Sequence, residues 1–93
     1  MPTEENDLRT RLAAGESAAF AEVYARTAKR LFATAKGLVD RREEAEDIVQ
    51  ETFVLLARHR DKLVGVHDLD RYLFMMLRHA AFRRTKGAAR YVA

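Results

Sequence analysis

The sequence has no cysteine, no tryptophan and a single proline among its 93 residues. Without cysteine, the chain has no disulfide framework, no thiolate zinc ligand and no cysteine nucleophile. No apolar run approaches the ~18 residues that a membrane-spanning helix needs, and the N-terminal segment is acidic and polar, unlike a secretory signal. We therefore expect one domain over residues 1–93 that is stabilised by packing alone, lies in the cytoplasm and does not contact a membrane.

Alanine dominates the apolar composition. Hydrophobic residues make up 48% of the chain, 16 residues are Ala, Ile occurs once, and the only Pro is residue 2. Alanine has the highest helix propensity, and no proline interrupts the interior of the chain. The predicted fold class is therefore all-α, a compact bundle of three long helices plus a short N-terminal helix.

Apolar side chains recur at steps of three and four residues, which predicts helices. We predict a short helix over residues 5–14 and long helices over residues 17–38, 40–60 and 69–86. Residues 62–67 lack this periodicity and are expected to form a loop. Residues 88–93 are expected to form a tail or the start of a linker, so the domain core spans about residues 5–87. The second helix has a predicted core stripe of Phe20, Val23, Tyr24, Thr27, Leu31, Ala35 and Leu38.

Glycine and small polar residues mark the predicted helix ends. Gly15 is expected to end the first helix, and Ser17 to cap the N-terminus of the second. Asp40 and Glu43 have the spacing of a capping box at the start of the third helix. Asp68 is the expected N-cap of the fourth helix.

Charge is distributed unevenly along the chain. Residues 40–53 contain two basic and six acidic residues, whereas residues 54–93 contain nine basic and three acidic residues. The third helix is predicted to expose a mainly polar face, formed by Asp47, Gln50, Glu51, Val54 and Arg58. This face is either simply solvated or contacts a basic partner. The absence of a lysine at the four-residue spacing that stabilises an exposed helix weighs against the first interpretation, and both remain open.

The predicted fourth helix has large apolar side chains on two opposite sides. One side is a complete core face, formed by Leu69, Tyr72, Leu73, Met76, Leu77 and Ala80. The other side consists of Arg71, Phe74, Met75, Arg78, Phe82 and Lys86. Rings interleaved with basic side chains are typical of a single-stranded nucleic-acid surface, because bases stack on the rings while the cations neutralise phosphate. The alternative is that Phe74 and Phe82 pack under the first helix or at a dimer contact.

Four segments resemble a known family: AFAEVY at residues 19–24, LFATA at 31–35, DRREEAEDIVQETF at 40–53 and RYLF at 71–74. Over about residues 8–86, the chain resembles region 2 of the extracytoplasmic-function sigma factors of bacterial RNA polymerase. The most specific part is the block EAEDIVQETF at residues 44–53. The order of the segments along the chain is also the order found in the family.

The resemblance implies that the polar face of the third helix docks on the clamp helices of the largest subunit of core RNA polymerase. Asp47, Gln50 and Glu51 match the docking residues of the family, and Val54 and Arg58 are their neighbours on this face. An anti-sigma factor that competes for the same surfaces is a further partner implied by the resemblance.

The resemblance also implies that the loop before the last helix, and that helix itself, recognise the minus-ten promoter element. In the family these segments hold a flipped-out base of the single-stranded non-template strand. Flipping costs a few kcal/mol of stacking, so a receiving pocket and an aromatic platform are required. The candidate DNA-binding residues are Leu63, Val64, His67, Asp68, Arg71, Phe74, Met75, Arg78, His79, Phe82, Arg83 and Lys86.

Two positions depart from the family pattern. Ala57 stands where family members usually have Trp, and His79 stands where they usually have Asn. The helix-turn-helix region 4 of the family is absent from these 93 residues, so we expect either a domain of a longer factor or a truncated relative. The alternative function is a sigma-like regulator that docks on polymerase or on an anti-sigma factor without melting DNA.

The remaining polar residues do not form a catalytic or metal-binding pattern. His59, His67 and His79 lack the four-residue spacing of a helical metal pair. The acidic residues at 43–47 have no concave site that would raise a pKa, and no glycine-rich phosphate loop occurs. We therefore expect a binding protein without a cofactor, and an enzyme is a distant alternative.

Overall fold

The computed structural model describes the backbone of residues 4–92 and the side chains of residues 7–84. Over this range the chain forms four α-helices and one 3₁₀ segment: α1 (Glu4–Ala13), α2 (Ser17–Leu38), α3 (Arg42–Arg58), the 3₁₀ segment (Arg60–Gly65) and α4 (Leu69–Val92). No strand occurs among these residues. The predicted all-α bundle is therefore confirmed.

The long helices α2, α3 and α4 pack on one another, and α1 packs on α2 and on the 3₁₀ segment. Their inward faces form one hydrophobic cluster. Burial of each large aliphatic side chain stabilises the fold by about 1.5–3 kcal/mol relative to exposure. The largest fully buried side chains are Leu12, Val23, Leu31, Ile48, Thr52, Leu56, Leu63, Leu73 and Leu77.

Two buried threonines are the polar members of this core. The hydroxyl of Thr27 donates to the Val23 carbonyl at 2.7 Å, and that of Thr52 donates to the Ile48 carbonyl at 2.8 Å. Each acceptor lies one helical turn before its donor, so both hydroxyls are satisfied within their own helix. Among the described side chains, no buried polar atom lacks a hydrogen-bond partner.

The end of α1 confirms the predicted role of Gly15. Its φ is +82°, in the left-handed region that favours glycine. The Gly15 N–H donates to the Leu12 carbonyl at 2.9 Å, and the Glu16 N–H donates to the Arg11 carbonyl at 3.1 Å. These two bonds are those of a Schellman motif, which turns the chain from α1 into α2.

The predicted N-caps of α2 and α3 are wrong. Ser17 is the first residue of α2 itself, and Asp40 lies two residues before α3, whose N-cap is Arg41. Neither helix has a side-chain cap hydrogen bond. Before α3, Val39 is extended and packs against the core.

Two further boundaries differ from the prediction. The helix α3 ends at Arg58, and a 3₁₀ segment at Arg60–Gly65 takes up most of the predicted loop 62–67, with its residue Leu63 fully buried. The 3₁₀ segment was not predicted because a six-residue segment with one buried leucine has no repeating pattern of apolar residues. The helix α4 continues past Gly87 to Val92 in place of the predicted tail. Glycine destabilises a helix by only about 1 kcal/mol relative to alanine, and alanines follow Gly87 in the sequence.

The start of α4 agrees with the prediction. The side-chain carboxylate of Asp68 accepts a hydrogen bond from the Arg71 N–H at 3.1 Å. The backbone carbonyl of Asp68 accepts one from the Tyr72 N–H at 3.0 Å. On the predicted core face, Tyr72 is half-buried and the other five side chains are buried. Asp68 is therefore a true N-cap.

The core stripe of α2 is only partly as predicted. Four of the seven side chains are buried and Phe20 is half-buried. Tyr24 and Leu38 are about half exposed, so their assignment to the core is wrong. Tyr24 lies over a surface groove between α2 and α3 rather than over the core. No helix in the described part of the chain is long and apolar enough to cross a membrane.

Candidate functional site

The outer side of α3 forms a continuous face, which we call the α3 face: Asp47, Gln50, Glu51, Val54 and Arg58. Asp47, Gln50, Val54 and Arg58 are exposed, and Glu51 is partly buried. Residues three and four apart are neighbours on a helix, so the five side chains line one side of α3. Structure and sequence agree that these residues lie together.

Two arginines of α4 border the α3 face. Arg83 Nη2 lies 3.2 Å from Glu51 Oε1, and Arg84 Nη2 lies 3.4 Å from Asp47 Oδ2. All four side chains are partly exposed, so each ion pair contributes about 0–1 kcal/mol to stability. Helical periodicity does not reveal these pairs, because the two partners of each pair lie on different helices. The two ion pairs are weak enough that a charged group of a partner can displace either arginine.

The outer side of α4 forms a second continuous surface, which we call the α4 strip: Arg71, Phe74, Met75, Arg78, His79, Phe82 and Arg83. The first five of these residues line an open groove of about 500 Å³. Met75, His79, Phe82 and Arg83 line a neighbouring groove of about 390 Å³ with side chains of α3 and the 3₁₀ segment. Because Met75 and His79 belong to both grooves, the strip is uninterrupted along α4.

The two phenylalanines of the strip differ in exposure. Phe82 is 66% exposed, which rules out its packing under α1. Phe74 is partly buried against the core, and the Arg30 guanidinium carbon lies 6.0 Å from its ring centroid. Arg30 is also paired with Asp70 at 3.3 Å. Phe74 is therefore held in place from α2, whereas most of the Phe82 side chain is accessible to solvent.

The candidate DNA-binding residues that precede or begin α4 do not all lie on one surface with the α4 strip. Leu63 is fully buried, so its assignment to a DNA-binding surface is wrong; it anchors the 3₁₀ segment instead. Val64 beside it is 80% exposed. His67 and Asp68 line a different groove, of about 260 Å³, at the start of α4. The side chain of Lys86 lies outside the described residues.

Several basic residues near these surfaces were not predicted. Arg26 lines the groove at the start of α4, and Arg30 covers Phe74. His59 and Lys62 line the groove that contains Phe82. The spacing of Arg26 and Arg30, one helical turn apart on the same helix, is a signal that could have indicated a basic row on α2.

The two continuous surfaces are suited to binding charged partners. Among the side chains that the structure describes, no group of three or more His, Asp or Glu residues could hold a metal ion. The two continuous surfaces have opposite character, since one presents carboxylates and the other presents rings and cations.

A family model for sigma-70 region 2 matches residues 23–91, which includes α3 and almost all of α4. No curated protein and no solved structure matches the chain. Sigma-70 region 2 is a domain of transcription initiation factors and not a catalytic family, and membership implies interactions with core RNA polymerase and promoter DNA. Because the match covers most of the 93 residues, the chain belongs to the sigma-70 region 2 family.

Proposed function

We propose that this domain directs transcription initiation by docking on the clamp helices of core RNA polymerase and by recognising and melting the minus-ten promoter element. The observation that carries the proposal is the presence of two surfaces of opposite character on adjacent helices, the acidic α3 face and the basic, aromatic α4 strip. One surface suits a basic helical partner, and the other suits a single strand of DNA. The protein works where polymerase and promoter meet, in the cytoplasm.

Docking is supported by the exposure and chemistry of the α3 face. Asp47 and Gln50 present a carboxylate and an amide to solvent, and Val54 adds an exposed apolar contact beside them. A cationic partner helix would meet complementary charge, which raises the association rate and suppresses wrong partners. An anti-sigma factor that covers this face would block docking.

DNA capture is supported by the α4 strip. Stacking of a base on an aromatic side chain contributes about 1–3 kcal/mol, and Phe82 offers an exposed ring for it. Arg71 and Arg78 lie beside Phe74 in the same groove and can neutralise phosphates. The strip therefore combines the two interactions that offset the cost of unstacking a promoter base.

Docking is tested by measuring the affinity of the full chain for core polymerase with biolayer interferometry. The double variant Asp47→Ala/Gln50→Ala should abolish binding while circular dichroism shows unchanged helicity, because both side chains are exposed. Glu22→Ala is a matched control, since it removes an exposed carboxylate from α2. Unchanged affinity of the double variant would overturn the docking assignment.

DNA capture is tested by fluorescence anisotropy with a single-stranded non-template oligonucleotide at several salt concentrations. We expect salt-sensitive binding that is lost in Phe74→Ala and weakened at least tenfold in Phe82→Ala. The control Leu38→Ala removes a half-exposed apolar side chain that does not line the strip, and its binding should match that of the wild type. Polymerase binding without any DNA binding at low salt would assign the domain to the alternative function, a sigma-like regulator that docks without melting DNA.

A further inference from the structure

Met75 lies in the α4 strip at the place where its two grooves meet. It lines the groove of about 500 Å³ together with Phe74, and the groove of about 390 Å³ together with Phe82. The residue is 48% exposed, so much of its side chain is in contact with solvent. A strand of DNA that runs from one groove to the other along α4 therefore passes over Met75.

The two methionines of α4 differ in exposure although they are neighbours in the sequence. Met75 is 48% exposed, whereas Met76 is 7% exposed and belongs to the hydrophobic cluster of the core. Successive side chains of a helix point about 100° apart, which turns one thioether towards solvent and the other towards the core. A dissolved oxidant therefore has direct access to Met75 and much less access to Met76.

The 93 residues contain three methionines and no cysteine, so the sulfur atoms available for oxidation are all thioethers. Hydrogen peroxide transfers one oxygen atom to a thioether: the O–O bond breaks, an S–O bond forms, sulfur supplies two electrons, and water leaves. The product, methionine sulfoxide, is polar and chiral where methionine is flexible and apolar. A methionine sulfoxide reductase reverses the step with a dithiol, which becomes a disulfide while the oxygen atom leaves as water.

The position of Met75 within the strip makes its polarity important for DNA binding. A base that stacks on Phe74 or Phe82 covers the apolar surface beside the ring, which includes Met75. A sulfoxide oxygen at this place loses its water when a base covers it, and such desolvation opposes binding. Arg78 lines the same groove as Met75, so a sulfoxide that accepts a hydrogen bond from its guanidinium would draw that cation away from a phosphate. Both effects weaken the capture of a single strand.

We propose that Met75 is a reversible oxidation site, and that its sulfoxide suppresses the capture of single-stranded DNA while docking on polymerase continues. The inference rests on the proposed DNA capture and adds its regulation by a peroxide. Docking is assigned to the α3 face, which contains no methionine and lies on another helix. An oxidised domain would therefore occupy polymerase without melting the promoter until a reductase restores the thioether.

The test treats the full chain with hydrogen peroxide and locates the added oxygen by fragmentation mass spectrometry. Met75 should be oxidised roughly tenfold faster than Met76, because only Met75 is open to solvent. Fluorescence anisotropy with a single-stranded non-template oligonucleotide should then show roughly tenfold weaker binding, as expected when a polar group is buried without a partner. The affinity for core polymerase and the thermal melt by circular dichroism should not change. Treatment with methionine sulfoxide reductase and a dithiol should restore DNA binding.

Met75→Leu and Met76→Leu are the matched variants, and each protein is compared with itself before and after peroxide treatment. Met75→Leu retains Met1 and Met76, and its DNA affinity should not fall on treatment. Met76→Leu retains Met75 and should lose affinity as the wild type does. The inference is wrong, and DNA capture stands, if the wild type is oxidised at Met75 without losing affinity, if Met75 stays reduced, or if Met75→Leu loses as much affinity as the wild type. If the untreated wild type does not bind DNA, DNA capture itself fails and the inference fails with it.

Discussion

The guanidinium of Arg84 lies 3.4 Å from the carboxylate of Asp47, so the C-terminal half of α4 reaches the acidic face of α3. The neighbouring pair joins Arg83 to Glu51 at 3.2 Å. Two surfaces that we assign to different partners therefore share a border. If a basic helix docks on the α3 face as we propose, it would compete with these arginines, and a displaced arginine would then be available to a phosphate.

The first prediction concerns this competition. Arg83→Gln/Arg84→Gln should raise the affinity for core polymerase about two- to fivefold, because two exposed pairs of about 0–1 kcal/mol each no longer compete. The same variant should weaken single-stranded DNA binding. The slope of log affinity against log salt should fall by about 0.7 for each phosphate that is no longer neutralised. Biolayer interferometry and fluorescence anisotropy measure the two effects.

Arg11→Gln is the control for this variant. It breaks the ion pairs of Arg11 with Glu16 and Glu22, which lie away from both surfaces. Neither affinity should change. A decrease in polymerase affinity in the Arg83→Gln/Arg84→Gln variant would contradict the competition and would make these arginines part of the docking surface.

The second prediction compares two glycines. Gly15→Ala should destabilise the domain by at least about 1 kcal/mol, because alanine at a φ of +82° is strained and its Cβ would lie 3.3 Å from Arg60 Nε. Gly37→Ala should stabilise it by about 0.5–1 kcal/mol, since Gly37 is helical and has no atom within 4 Å of the new Cβ. For a domain of this size, a change of 1 kcal/mol shifts the Tm by roughly 4–8 °C. Equal shifts for the two variants would refute the role of Gly15 as the helix end.

The third prediction compares two neighbours in the 3₁₀ segment. Leu63→Ala should lower the free energy of unfolding by about 2–5 kcal/mol, because Leu63 is fully buried. Val64→Ala should change it by less than about 0.5 kcal/mol, because Val64 is 80% exposed. Urea unfolding followed by circular dichroism measures both. A small effect at Leu63 would mean that the segment is not anchored as the structure shows.

The fourth prediction concerns the start of α4. Asp68→Ala should destabilise the domain by about 0.5–2 kcal/mol, because the Arg71 N–H loses its carboxylate acceptor. Asp68→Asn should retain most of the stability, since an amide oxygen accepts the same hydrogen bond. Thermal melts of both variants measure the two changes in stability. If the Asn variant is as unstable as the Ala variant, Asp68 acts through its charge and not as a hydrogen-bonding cap.

The helical fold could be predicted from the sequence because its signals are local. Alanine content, the three- and four-residue spacing and Gly15 depend only on residues within one or two turns of a helix. The α3 face could be predicted for the same reason, since its five residues belong to one helix. The predicted caps Ser17 and Asp40 each lie one residue from the observed N-caps Glu16 and Arg41, because spacing indicates the faces of a helix more sharply than its first residue.

The four α-helices, the exposed faces of α3 and α4 and the sigma-70 region 2 family could be recognised from the order and spacing of the residues. The contacts between side chains distant in sequence depend on how the helices pack. Arg84 reaches Asp47 because α4 packs against α3, and Tyr24 lies over a groove because α2 and α3 pack side by side and both line it. Helical periodicity shows which residues share a side of a helix, but not what lies opposite that side. Packing places Leu63 in the core and leaves Tyr24 half exposed, and no pattern within one helix contains that information.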